Sequence, residues 1–165
     1  MSKRYNEHLY IFMKITCFNK RSVLFFFIFF GNRLVGQMEK IPVFISGAEG
    51  HKSYRIPAII KLPNKNLLAF CEGRVKGSGD FGDINIVLKQ SDDKGRTWSS
   101  LQTIVDADSL QAGNPAPVLD MRDPAFPQGR IFLFYNTGNN HEGEVRKGKG
   151  LREVWYKTSV DGGIT

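Results

Sequence analysis

From about residue 41 onward, hydrophobic and polar positions fall into runs of five to nine residues, each closed by Gly, Pro or Asn. That is the grammar of strands and turns. The runs are IPVFIS from Ile41, YRIPAIIKL from Tyr54, LLAFCEGR from Leu67, INIVLKQS from Ile84, LQTIV from Leu101, APVLD from Ala116, GRIFLFYN from Gly129 and REVWYKTS from Arg152. No stretch carries the 3.6-residue period of an amphipathic helix, so the pattern predicts an all-β chain. Four successive strands between Tyr54 and Val105 form one set. A second set starts at Ala116 and reaches three strands.

A turn motif recurs at the same point of both sets, after the third strand. The first copy is SDDKGRTW, Ser91 to Trp98, and the second is TSVDGGIT, Thr158 to Thr165. Aligned as Ser-x-Asp-x-Gly-x-Thr they give Ser91, Asp93, Gly95 and Thr97, then Ser159, Asp161, Gly163 and Thr165, with Trp98 following only the first. A short Asp accepts backbone N–H groups across a tight turn, Gly takes the left-handed backbone, the hydroxyls add bonds and Trp98 covers the turn. Recurrence at one phase of a strand-rich chain predicts an internal repeat. The spacing exceeds a bare propeller blade of about 40–50 residues, and an inserted loop covers the difference. A calcium loop is the alternative for Asp92, Asp93 and Asp161, but the second copy offers one carboxylate where a Ca²⁺ cage needs several.

Charge changes the picture only until it is located. The chain carries a formal +7, yet residues 1–36 hold six Lys/Arg against one Glu, which leaves seventeen against fifteen for the remainder. A nucleic-acid partner is therefore not expected. The basic N-terminal residues Lys14, Lys20 and Arg21 precede the apolar run Ser22 to Gly31, too short for a stable membrane span, and small Gly36 follows. This layout predicts a leader over residues 1–36, with Met13 an alternative start, and a mature part over 37–165 that is secreted, periplasmic or at the cell surface. A buried aromatic strand is the competing reading of that run. Cys17 would leave with the leader, and Cys71 reads as a small buried hydrophobe.

The least periodic connections are Gly73 to Asp83, Asp106 to Pro115 and Asn136 to Gly150, and long loops on a β scaffold are where function usually sits. The last reads as a solvated basic insertion. Arg55 sits at the head of an apolar strand, where its charge needs an anionic partner or water; a structural salt bridge is the plain alternative. Asp80 lies in a Gly-rich loop beside Phe81, where an apolar setting would raise its pKa toward that of a general acid, though Asp in such a loop also serves as a turn former.

Together the Tyr-Arg-Ile-Pro at 54 to 57, the loop Asp80 one strand ahead of the first repeated turn, GNPAPV at 113 to 118 and the two turns resemble the N-terminal part of an exo-α-sialidase (neuraminidase) of bacterial type. The turns are that family's Asp boxes. The resemblance spans about Ile41 to Thr165 and implies a six-bladed β-propeller, of which the chain covers the first one to two blades. It implies that Arg55 is one of three arginines clamping the sialic acid carboxylate, that Asp80 is the acid/base, with Asp83 a local competitor, and that Arg74 and Asn114 line the sugar pocket. A guanidinium suits the clamp because it pairs with a carboxylate through two bonds. The implied chemistry is retaining hydrolysis through a Tyr nucleophile with a Glu partner, without metal or organic cofactor, on sialylated glycans. The nucleophile, its Glu and the other two clamp arginines belong to later blades of the family, and Tyr54, Tyr135 and Tyr156 sit in the wrong context to replace the Tyr. The chain as given is accordingly expected to be inactive by itself. A non-catalytic Asp-box propeller that binds glycans or proteins is the alternative, and it has no need for a loop acid beside a carboxylate clamp.

Overall fold

The computed structural model describes residues 39–165; the leader read at residues 1–36 lies outside them. Seven strands form two antiparallel meanders. The first holds β1 (Ser53–Lys61), β2 (Leu67–Arg74), β3 (Ile84–Ser91) and β4 (Gln102–Val105). The second holds β5 (Gln111–Asp120), β6 (Arg130–Gly138) and β7 (Arg152–Ser159). Between them runs a single parallel bridge, Ile84 to Gln111, at the heads of β3 and β5. The all-β expectation and the four-plus-three division both hold.

The meanders are joined by packing more than by hydrogen bonds. Period-two alternation turns Leu68 and Phe70 of β2 and Ile86 and Leu88 of β3 toward one side, where they meet Ala112, Ile131 and Leu133 of the second meander. Burial of each such side chain is worth about 1.5–3 kcal/mol, so this interface dominates the stability of the described part. Polar ties reinforce it: Gln90 Nε2 donates to the Gly163 carbonyl at 2.9 Å, and Lys157 Nζ to the Ile104 carbonyl at 2.8 Å. On the outer side of the second meander Phe132, Phe134 and Tyr156 form a partly exposed aromatic cluster, with centroids 5.8–6.1 Å apart.

Three local expectations are revised. Ile41 to Ser46 is not a strand: residues 45–51 wind through tight turns, with Gly47, Glu49 and Gly50 all in the left-handed region (φ 84°, 52° and 82°). The segment instead covers the second face of the first meander. His51 lies over Gly73, where a Cβ would come within 2.5 Å of the ring, and Glu49 pairs with Lys89 at 2.6 Å.

The strand β5 begins five residues before Ala116 and runs straight through Gly113, Asn114 and Pro115, which as breakers read like loop. A bulge between Gly113 and Ala116 absorbs them. It has a counterpart between Arg55 and Ala58 in β1. Both bulges contain a residue at positive φ directly before a proline, Asn114 at 54° and Ile56 at 55°. The two first strands of the repeat thus share an X-Pro-Ala kink that re-aims the strand head. For Ile56 that backbone is strained, since a β-branched residue at positive φ is a true outlier.

The third revision is small. Within the 136–150 connection, α1 (Glu142–Val145) makes one helical turn with no buried residue. Local ion pairs, Arg146 to Glu142 at 2.9 Å and Lys147 to Glu144 at 2.8 Å, fit the solvated basic insertion. None of the described helices is long and apolar enough to cross a membrane.

Candidate active site

Antiparallel pairing brings the start of β1, the end of β2 and the start of β3 to one end of the sheet, and the β3–β5 bridge adds the head of β5. In register, Arg55 lies opposite Glu72, so both project on the same face. The loop between β2 and β3 closes at its base through the Val75 N–H to the Asp83 carbonyl, 3.0 Å. Its carbonyls are held from below: Ser53 Oγ donates to Gly77 at 2.6 Å, and Arg74 Nη1 to Ser78 and Gly79 at 2.6 and 2.7 Å. This fixes where Asp80 can go.

Asp80 Oδ1 sits 2.7 Å from Arg55 Nη1 and 2.9 Å from Arg74 Nη1. Arg55 and Asp80 are open to solvent, with side-chain exposures of 46% and 79%, whereas Arg74 is 4% exposed beneath them. The expectation that Asp80 has a raised pKa is corrected by this arrangement. Its hydrogen bond from Arg74 and the charge of Arg55 hold the carboxyl below its ordinary value. The apolar neighbour Phe81 is turned aside and meets His141 instead, centroids 4.8 Å apart. Asp80 is an ion-paired carboxylate.

Arg74 is not a free pocket arginine either. Its Nε and Nη2 donate to Glu72 Oε2 at 3.2 and 2.6 Å, while Nη1 serves the loop carbonyls and Asp80. Asn114 presents an exposed side chain at the rim, and its backbone N–H donates to Glu72 Oε1 at 2.8 Å. Asp83 contributes its carbonyl to loop closure and lies apart from the Arg55 pair. The structure therefore brings Arg55, Asp80, Arg74 and Asn114 to one rim. Glu72 joins them unforeseen. The available signal was a Glu-x-Arg pair at same-face spacing in an otherwise apolar strand.

Other side chains fill supporting roles. Cys71 is buried, donates from Sγ to the Arg55 carbonyl at 3.0 Å, and burial pushes its thiol up to about 11, so it is inert as a nucleophile. The Tyr54 hydroxyl donates to the Ala48 carbonyl at 2.9 Å. Among the described residues no cluster of three or more His, Cys, Asp or Glu side chains is grouped to hold a metal ion.

The two repeated turns close alike, far along the strands from the charged rim. Ser91 Oγ donates to Asp93 Oδ1 at 2.9 Å and accepts from the Gly95 N–H at 2.8 Å, while Asp93 takes the Thr97 N–H and Oγ1 at 2.9 and 2.7 Å. Ser159 and Asp161 repeat the pattern with Gly163 and Thr165. Gly95 and Gly163 sit at φ 89° and 86°, and Trp98 lies across Gly95. These bonds, led by those from Thr97, hold the Asp93 carboxyl down at about 2; Asp161 is likewise lowered, first by Thr165.

No family model matches the chain. An exo-alpha-sialidase of Arthroderma benhamiae is 31% identical over 143 residues, which is 73% of this chain and 33% of that protein. An exo-alpha-sialidase of Aspergillus fumigatus is 36% identical over 98 residues, 56% of this chain and 23% of that protein. Among solved structures, Hadza microbial sialidase Hz136 superposes with a TM-score of 0.58 and 22% identity, covering 70% of this chain and 25% of that one; at that identity the likeness is one of fold. The chain spans about a quarter to a third of the length of these curated relatives. Over the part it shares with them, this chain belongs to the exo-α-sialidase family and carries its all-β fold.

Proposed function

We propose that this chain supplies the carboxylate-binding and acid–base corner of a glycoside hydrolase that releases terminal sialic acid from glycoconjugates with retention. The observation that carries the reading is the solvent-open Arg55–Asp80 pair at 2.7 Å, set on the buried Arg74. A half-exposed arginine at the head of the edge strand β1, already paired with a carboxylate through Nη1, presents a guanidinium that a substrate carboxylate can bind.

The resting pair also suggests how the acid is made. A substrate carboxylate arriving at Arg55 takes over the guanidinium that Asp80 now occupies. Asp80 then keeps Arg74 but loses Arg55 as a cationic neighbour and gains an anionic one, and both changes raise its pKa from the lowered value. Protonated, it donates to the leaving glycosidic oxygen as the bond to the anomeric carbon breaks; ionised again, it removes a proton from the water that hydrolyses the glycosyl intermediate. A Tyr of the kind the family uses would supply the covalent step, since a phenol avoids the repulsion a carboxylate nucleophile would meet at a carbon bearing a carboxylate. Arg74 steadies the loop through both steps. Six blades, Asp-box turns and export through a leader at residues 1–36 belong to the same proposal.

A second reading has one observation in its favour: the resting Asp80 is ionised and doubly paired, as a structural carboxylate in a glycan-binding propeller would be. The two separate on Asp80→Ala in the full-length protein. A catalytic acid predicts a loss of about 10²–10⁴-fold on sialosides with poor leaving groups and far less on activated aryl sialosides. Equal losses on both would assign Asp80 a structural role.

A further inference from the structure

We propose that Glu72 is the positioning residue of this site, holding Arg74 and the Asn114 bulge together and, through Arg74, setting the place of Asp80. The inference rests on the sialidase reading for its catalytic consequence and on geometry alone for the positioning. Glu72 is a charged side chain on a core strand, 2% exposed, with both oxygens committed. Oε2 receives Nη2 and Nε of Arg74 at 2.6 and 3.2 Å, and Oε1 receives the Asn114 N–H at 2.8 Å. It therefore has no part in touching substrate. What it touches instead are the two elements that build the rim from opposite meanders.

The chain of contacts is continuous. From the β5 bulge it passes through Glu72 to Arg74, from Arg74 to the Ser78 and Gly79 carbonyls and to Asp80, and from Asp80 to Arg55. Arg74 buried with only the loop to bind would be a costly charge; Glu72 neutralises it and fixes the plane of the guanidinium, so that Nη1 faces the loop. At the other end, the strand head is held at Asn114, whose positive φ needs the surrounding structure to define it. The sequence makes room for this junction at Gly113. A Cβ there would stand 2.7 Å from Glu72 Oε1, 2.9 Å from Gln111 Nε2 and 3.3 Å from Asn136 Oδ1.

Two variants attack the junction from its two ends, each made in a chain that also carries the later blades the sialidase reading calls for. Glu72→Gln keeps an oxygen for the Asn114 N–H but sets an amide against Arg74; Gly113→Ala leaves every charge in place and pushes Oε1 away from Asn114. Both are assayed by hydrogen exchange and by steady-state kinetics on a poor-leaving-group sialoside and an activated aryl sialoside. The expected result is faster exchange at Val75, whose N–H closes the base of the loop on the Asp83 carbonyl, in Glu72→Gln and at Asn114, whose N–H Glu72 receives, in Gly113→Ala, by about tenfold or more. With it, kcat on the poor-leaving-group substrate falls about 10–100-fold and KM moves little, with a smaller loss on the aryl sialoside, as misplacement of an acid predicts. Unchanged exchange at those amides overturns the positioning role. Faster exchange with equal losses on both substrates overturns its link to Asp80. If the unaltered protein cleaves no sialoside, the sialidase reading fails while the exchange data still decide whether Glu72 organises the rim; should Glu72→Gln not fold, Gly113→Ala decides alone.

Discussion

Replacing Arg74 by Met isolates the cost of the charge beneath the site. The change keeps an unbranched stem of similar reach and removes a guanidinium that makes two contacts to Glu72, two to loop carbonyls and one to Asp80. What remains is Glu72, 2% exposed, with only the Asn114 N–H for company. Breaking a buried pair on one side costs about 3–5 kcal/mol, because the partner is left as an uncompensated charge. With a urea slope of about 2–3 kcal/mol per molar, the unfolding midpoint should fall by about 1.5 M. The companion change Glu72→Met in the same molecule should restore most of that loss, since two apolar side chains replace the pair without leaving a charge. Activity should not return with it. The assay is urea denaturation of the two single variants and the double variant, read as a double-mutant cycle, beside kcat/KM on a sialoside. A loss under about 1 kcal/mol in Arg74→Met, or a double variant no more stable than the singles, would refute the picture of a buried pair bridging loop and strand.

Arg55→Lys should raise KM for sialosides more than it lowers kcat, because a point charge cannot reproduce the forked contact to a carboxylate; an unchanged KM counts against the clamp. The Asp93 carboxyl has a folded-state value of about 2 against an ordinary 3.8, so its contribution to stability is present above about pH 4 and lost as pH falls toward 2. Urea midpoints measured from pH 5 to pH 2 should fall less steeply in Asp93→Asn, and identical slopes would show that the turn bonds do not matter to acid stability. Residues 39–165 produced alone should bind an apolar-surface dye at the Phe132, Phe134 and Tyr156 face, and a product that binds none would contradict this.

What could be read without the structure was what is settled locally. β2 and β3 announce themselves as short, largely apolar runs bounded by turn residues, and the Ser91 and Ser159 turns because all their bonds close within five residues. Arg55, Asp80, Arg74 and Asn114 were legible as candidates through a family pattern, one residue at a time. Their mutual arrangement was not. The Asn114 N–H meets Glu72 across 42 positions and Arg55 meets Asp80 across 25, and no local pattern encodes a contact between side chains that only strand pairing brings together. For the same reason Asp80 read as a raised acid beside Phe81, when two arginines from neighbouring strands decide its charge state. Gly113, Asn114 and Pro115 read as loop because their intrinsic preferences disfavour a ladder, yet pairing with β6 on either side of a bulge outweighs those preferences. Ile41 to Ser46 shows the converse, a run with strand composition that pairs with no strand: it joins neither edge of the sheet and leads into the turns of residues 45–51. Composition and period fix which residues can form a sheet, while the partner available in three dimensions fixes which ones do, and where their charges meet.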